Sequence, residues 1–427
     1  MGQVSMGARR RTLVLAVAVA LGFAACASAA DWPQFLGPQR DGVAHDAKGL
    51  ARSWPATGPK QLWETPVGAG YGGAAIYGDS VLLLDREDDA RDVLRRINLA
   101  DGKDVWRSPY DAPGKIDHNG GRSTPATDGN LVFTIGMYGQ VRAVRFSDGK
   151  LVWEKHLLKD WGAGPPGYAI STSPLLYGNW VIVTPWGKQA AVVALDKATG
   201  TPVWTTPNPK GIPQEYQSPT GMTLNGQDIV LATGQQGYLL GVDARTGAPL
   251  CEYTDYPKSN AQIPTPLPIG DGRVFMTGGY GQGCVMIKVE SGGGKYRVTE
   301  LFRNKNMGSM SAQPLLWNGC IYGNSSDVGG GLRCLTLDGQ IKWDSKQNGG
   351  PGFGLGSVLI ADGLIYVINA DNGEITMAEA TPDGYKQLGK APLLAGPEPF
   401  GPMAFKDGKL IARDMHKMVC LDVTIAK

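Results

Sequence analysis

The 427-residue chain is 42% hydrophobic with 61 glycines and 29 prolines, too apolar for a disordered segment and rich in turn formers. Its formal net charge of +2 includes Arg9, Arg10 and Arg11 at the very start. The rest is close to neutral, which excludes a general attraction to nucleic acid or an anionic surface.

In chain order, residues 1–30 read as a signal peptide: the three arginines precede an apolar run from Leu13 to Ala25, with cleavage expected after Ala29 or Ala30. That run is too short for a transmembrane span. The chain is therefore expected to be exported, to the periplasm or beyond. A rival reading takes Phe23-Ala24-Ala25-Cys26 as a lipobox and Cys26 as a lipidated N-terminus. Residues 31–60 form a lead segment, and residues 61–427 a repeat array.

The repeat has a Ser/Thr-Pro start, two apolar runs joined by a two-residue turn, and a third run ending near Asp-Gly or Thr-Gly. A tryptophan follows four residues beyond that glycine. The block Ser123 to Trp153 shows it most clearly, and four short antiparallel strands account for it. The first turn recurs as Gly78-Asp79, Asp128-Gly129, Gly178-Asn179, Asn225-Gly226, Asp271-Gly272, Asn318-Gly319, Asp362-Gly363 and Asp407-Gly408. Eight such turns predict eight blades. The tryptophan slot holds Trp63, Trp106, Trp153, Trp204, Cys251, Phe302, Trp343 and Leu388 at propeller-like intervals of about 40–50 residues. The five tryptophans are expected to be structural, wedged between neighbouring blades.

The last block offers three strands, whereas Gln61 to Val67 is a lone strand with none before it. The predicted fold is thus all-β, an eight-bladed β-propeller of four-stranded antiparallel blades. Its ring is closed by the N-terminal strand completing the last blade, which removes exposed sheet edges.

Val193-Ala194-Leu195-Asp196-Lys197-Ala198-Thr199-Gly200 followed by Trp204 resembles the motif of the pyrroloquinoline-quinone-type (PQQ-type) repeat family, and the match extends over most of the chain. Asp31 to Pro38 resembles the leader of exported bacterial members. The architecture is similar to that of the propeller lipoprotein that helps assemble outer-membrane proteins, which implies a binding scaffold. The family also includes quinoprotein dehydrogenases, which implies PQQ with Ca²⁺ as the alternative cofactor set. Their adjacent cysteine pair is missing here, and their Asp base and calcium ligands find no counterpart residue by residue. Hence no cofactor, no metal and no catalytic residue is predicted.

Other features point the same way. Gly68-Ala69-Gly70-Tyr71-Gly72-Gly73 matches G-x-G-x-x-G but leads into a strand, where a dinucleotide site needs a helix. Asp85, Glu87, Asp88, Asp89 and Asp92 alternate with Arg86 and Arg91 and read as a solvated, self-compensating loop. His45, His118, His156 and His416 have no metal-ligand spacing. Cys251, Cys284, Cys320, Cys334 and Cys420 form no C-x-x-C motif; Cys334 and Cys420 read as core, and a Cys320–Cys334 disulfide stays open.

Function is expected where the loops from outer to next inner strand, and from second to third strand, meet at one face of the channel. Candidate ligand-binding residues there are His118, Asn119, Arg122, Tyr168, Trp186, Tyr216, Gln217, Gln236 and Gln262. Such aromatic and amide groups suit a protein segment or a small polar ligand, including a glycan. The expectation is a monomeric, non-catalytic interaction scaffold; a PQQ-dependent dehydrogenase and a carbohydrate-binding propeller are the alternatives.

Overall fold

The structure, a computed structural model, describes residues 1–2, 31–256, 261–327 and 330–425. The predicted signal peptide from Gln3 onward, with Cys26, lies outside the described residues. No helix among those described is long and apolar enough to cross a membrane.

Eight β-sheets form eight blades. Blade 1 runs from the axis outward as Ala75–Tyr77, Ser80–Glu87, Arg91–Asn98 and Asp104–Asp111, and the later blades repeat this antiparallel order. The first turn joins strands through two residues in every blade except the second, where Asp128, Gly129 and Asn130 intervene. Asn225-Gly226, Asp271-Gly272, Asn318-Gly319, Asp362-Gly363 and Asp407-Gly408 have positive φ at both positions, as strand twist requires of a tight hairpin.

The ring closes as the strand count predicts. Lys60–Pro66 pairs antiparallel with Lys417–Asp422, placing Trp63 opposite Cys420 and Glu64 opposite Val419. It is the outer strand of blade 8, otherwise made of the three C-terminal strands.

The glycine four residues before the tryptophan slot has a cross-blade reason. Trp63 lies over Gly102 of the next blade, Trp106 over Gly149, Trp153 over Gly200 and Trp204 over Gly247. The indole N–H groups of Trp63, Trp106, Trp153 and Trp343 donate to Leu99, Phe146, Lys197 and Thr381 carbonyls at 2.7–2.9 Å. Gly247 has φ +72°, and a Cβ there would fall 2.4 Å from the Trp204 ring. Gly247→Ala is therefore expected to destabilise the protein by about 2 kcal/mol, combining left-handed backbone strain with overpacking. Urea unfolding checks this.

Each outer strand also bulges by one residue immediately before the slot. The bulge turns Val105, Val152 and Val203 outward, 44–50% exposed, and the tryptophan after each one inward. It also blunts the rim against edge pairing. In blade 7 this corrects the sequence reading: Leu388 occupies the bulge, and Gly389 is in register with Met377 where a tryptophan would stand. Trp54 from the lead segment covers that glycine and stacks on Tyr366 at 6.0 Å and 22°. In blade 6 Trp343 lies against Tyr322 at the same 6.0 Å.

The lead segment crosses the turn side of the ring. Trp32 exchanges two backbone hydrogen bonds with Ile76 of blade 1. Arg40 reaches the Pro174 carbonyl of blade 3 at 2.8 Å, and Val43–Ala44 adds a parallel strand to the inner edge of blade 7. Arg40 is fully desolvated, so its guanidinium pKa is pushed down to about 9.

Two further readings change with the tertiary structure. Asp85 and Asp92 are not solvated; they are buried in blade 1 against Arg95 at 2.9 Å and Arg86 at 2.8 Å, although the cluster does compensate itself. Cys320 and Cys334 sit on adjacent strands of blade 6 as free thiols, and burial pushes the thiols of Cys334 and Cys420 up to about 12.

Candidate functional site: the channel mouth

The Ser/Thr-Pro starts build the neck of the channel. A residue before proline is held extended, and Gly73 holds the corresponding place in blade 1, ahead of Ala74. The next blade supplies the acceptor. The Gly73 N–H donates to Thr124 Oγ1 at 3.1 Å, that of Thr124 to Ser173 Oγ at 3.0 Å, and that of Ser173 to Ser218 Oγ at 2.8 Å. Further round, the Thr265 N–H donates to Gln313 Oε1 at 2.8 Å. This belt fixes the segments leading into the inner strands, and those segments form the mouth.

Above the belt lies a cavity of about 230 Å³. Its walls include Tyr71, His118, Arg122, Tyr168, Tyr216, Ile263, Tyr280, Met310, Leu355 and Phe400, and all eight blades contribute. Phe35 and Leu36 of the lead segment, which bonds to blades 1, 3 and 7, also line it.

Four of the nine candidate residues converge here. His118 and Tyr168 meet edge to face at 5.8 Å, and the Tyr216 hydroxyl accepts the Tyr168 N–H at 3.1 Å. The Arg122 guanidinium lies 4.9 Å from the Tyr71 ring centre and donates to the His118 and Asp117 carbonyls. The other five are elsewhere. Asn119 faces a neighbouring cleft and donates to Asp89. Trp186 is buried against Tyr238, Gln217 holds the Tyr256 hydroxyl and the Pro264 carbonyl, and Gln262 donates to the Thr277 carbonyl at 2.5 Å. Gln236 is exposed in the second-to-third turn of blade 4 with φ +64°.

Sequence reasoning missed Tyr71, Glu398 and Phe400. The Tyr71 hydroxyl donates to Glu398 Oε2 at 2.5 Å, the other Glu398 oxygen lies 3.1 Å from His118 Nδ1, and the Tyr71 ring stacks on Phe400 at 5.9 Å. Burial and the Glu398 carboxylate push the Tyr71 phenol above its ordinary range. The signal was there, since Gly396-Pro397-Glu398-Pro399-Phe400 is the outer-to-inner loop entering blade 8. Glu215, beside Tyr216, was also missed. It is 7% exposed, and burial raises its carboxyl pKa to about 7.

Chemically the mouth is an aromatic bowl with one arginine. Ser171 Oγ donates to the Tyr216 carbonyl and Ser311 Oγ to the Leu355 carbonyl, both at 2.8 Å, so neither is paired with the imidazole as a nucleophile would be. No Asp or Glu lines the cavity among the described residues, whereas a Ca²⁺ site beside a quinone needs carboxylate oxygens. No group of three or more His, Cys, Asp or Glu side chains among them is placed to hold a metal ion. The lining of this cavity thus offers no carboxylate oxygen to a Ca²⁺ beside PQQ.

Comparison with known proteins agrees with this architecture. A family profile described as "Outer membrane protein assembly factor BamB" matches residues 43–162 and 90–378. BamB of Burkholderia pseudomallei is 27% identical over 254 residues, 58% of this chain and 58% of its own length. The quinoprotein alcohol dehydrogenase PedH of Pseudomonas putida is 32% identical over 149 residues, 33% of this chain and 23% of its own. The match thus spans less than two thirds of either curated relative. The crystal structure of BamB from Moraxella catarrhalis superposes with a TM-score of 0.60 at 15% identity, covering 86% of this chain and 98% of that one. With its blades, its repeat motif and the profile match in agreement, the chain belongs to the BamB family of PQQ-type repeat β-propellers.

Proposed function

We propose that this protein is an exported, monomeric and non-catalytic scaffold that docks a polypeptide partner on the face around the channel mouth. The observation that carries this reading is an aromatic-lined bowl built by all eight blades together with Phe35 and Leu36 of the lead segment. Tyrosine-rich concave surfaces are typical of protein-docking sites. The name of the BamB relatives, an assembly factor, supports a protein partner, and ring closure leaves no blade that needs a second copy to complete it.

A photo-crosslinking amino acid at Tyr280 or Tyr168 is expected to capture a partner in the cell of origin, whereas the same group at Val105 or Val203 on the rim is not. Capture from the rim alone would overturn the reading. So would saturable binding of PQQ with Ca²⁺ at micromolar concentration, accompanied by dye-linked alcohol oxidation.

A further inference from the structure

We infer that the mouth cavity is a recognition pocket for an apolar side chain with an acidic neighbour, presented by an extended segment of the partner polypeptide. The inference rests on the scaffold reading above and specifies the partner's chemistry.

Three observations lead there. The first is the lining. Tyr71, Tyr168, Tyr216, Ile263 and Phe400 give the wall an apolar surface, to which Phe35 and Leu36 of the lead segment add. An inserted side chain is desolvated against this wall, and apolar burial of that kind favours binding.

The second is charge. Arg122 is the only lysine or arginine lining the cavity among the described residues. It takes part in no ion pair among them, and its Nε has no hydrogen-bond partner. The Glu398 carboxylate is held by Tyr71 and His118. Burial disfavours the charged guanidinium and lowers its pKa. A carboxylate arriving with the ligand would offset that cost through a charge-assisted hydrogen bond. For a cationic ligand, no acidic side chain lines the cavity among the described residues, and Glu398 beside it is already engaged by Tyr71 and His118.

The third is the rim. Tyr168, Ile263 and Tyr280 are 38%, 39% and 44% exposed around the opening. The cavity, at about 230 Å³, is smaller than the roughly 300–1,000 Å³ of a dedicated small-molecule site. A ligand small enough to fill it would leave the rim in water. A polypeptide would fill the pocket with one side chain and cover the rim with its flanking residues.

The test is fluorescence anisotropy with short labelled peptides, amidated at the C-terminus and identical except for a central pair: Phe-Asp, Phe-Asn, Phe-Lys or Ser-Asp. The Phe-Asp peptide is expected to bind ~10-fold tighter than each of the others. The preference for Asp over Asn is expected to vanish in Arg122→Gln, and Tyr280→Ala is expected to weaken every Phe peptide. Thermal melting establishes that each variant is folded. Should Arg122→Gln not fold, the Asp-to-Asn ratio on the unaltered protein and the exposed Tyr280→Ala variant still decide. Equal binding of Phe-Asp and Phe-Lys, no effect of Tyr280→Ala, or no peptide binding at all overturns the inference. A flat peptide ranking alongside successful crosslinking from Tyr280 sinks this pocket and leaves the scaffold standing, whereas crosslinking from Val105 or Val203 alone removes both.

Discussion

A chain that starts at Val67 is expected to be insoluble or aggregated, whereas one that starts at Asp31 is expected to be soluble and to unfold cooperatively. The difference is the strand Lys60–Pro66 with the lead segment before it. Without that strand Lys417–Asp422 becomes an open edge, and the residues opposite Trp63 and Glu64, Cys420 and Val419, lose their cover. Exposed apolar edges template pairing with other chains. Trp63 is 7% exposed, and truncating a buried tryptophan alone costs about 3–5 kcal/mol. Six cross-strand residue pairs and the buried Trp32, Leu36, Val43 and Leu50 go with it. Typical domains hold only about 5–15 kcal/mol in total, so the loss exceeds what the ring can absorb. A start at Lys60 separates the two parts: the ring closes, but Phe35 and Leu36 of the cavity lining and the Trp54 cover on blade 7 are gone. Size-exclusion chromatography with thermal unfolding of the three chains reads the outcome. A soluble, cooperatively folded chain from Val67 would contradict the closure.

The second large effect is a loss of stability with rising pH that traces to Glu215. Its carboxyl stands at about 7 in the folded protein against an ordinary 4.5, because burial beside the mouth disfavours the charged form. The Tyr216 N–H donates to it at 3.1 Å, and no lysine or arginine pairs with it among the described residues. Between pH 4.5 and 7 the unfolded chain has released this proton while the folded protein keeps it. Stability contributed by this group therefore falls as pH rises through that window and levels off above it. Glu215→Gln removes the ionisation. At pH 8 the variant is expected to be more stable than the parent by about 3 kcal/mol, the difference shrinking towards zero near pH 4. Urea unfolding at pH 4.5, 6, 7 and 8 measures it, and an unchanged pH slope in the variant would refute the assignment. Because Tyr216 lines the cavity, mouth binding should also be read on both sides of pH 7.

The blade count was legible because tight hairpins demand particular residues. Asn225-Gly226 or Asp362-Gly363 reports a left-handed backbone wherever it occurs, independently of distant contacts. The same holds for the glycine and tryptophan of each outer strand, whose spacing is local even though their contact reaches the next blade. Leu388 shows where this fails: every outer strand carries the bulge, but the turn of blade 7 is one residue longer after Gly384, so the fourth residue falls on the bulge and Gly389 takes the slot.

The mouth was half legible. Position in the outer-to-inner loops placed His118, Arg122, Tyr168 and Tyr216 correctly at the cavity. It gave no means of telling them from Gln217, Trp186 and Gln262, which lie in comparable connections but point into the packing. Polar side chains in loops turn inward where a backbone group needs a partner, and here those partners, such as the Pro264 and Thr277 carbonyls, exist only once the loops are folded.

By itself, then, the sequence determined the repeat, the eight blades and the need for a terminal strand to close them, because backbone turns and strand periods are set by neighbours along the chain. Only the tertiary structure decided that Phe35 and Leu36 line the channel cavity, that Trp54 stands in for a missing tryptophan, and that Arg122 enters an aromatic bowl with no ion pair among the described residues. These depend on contacts such as Arg40 to Pro174 and Leu50 to Asp362, 134 and 312 residues apart, where local pattern carries no information.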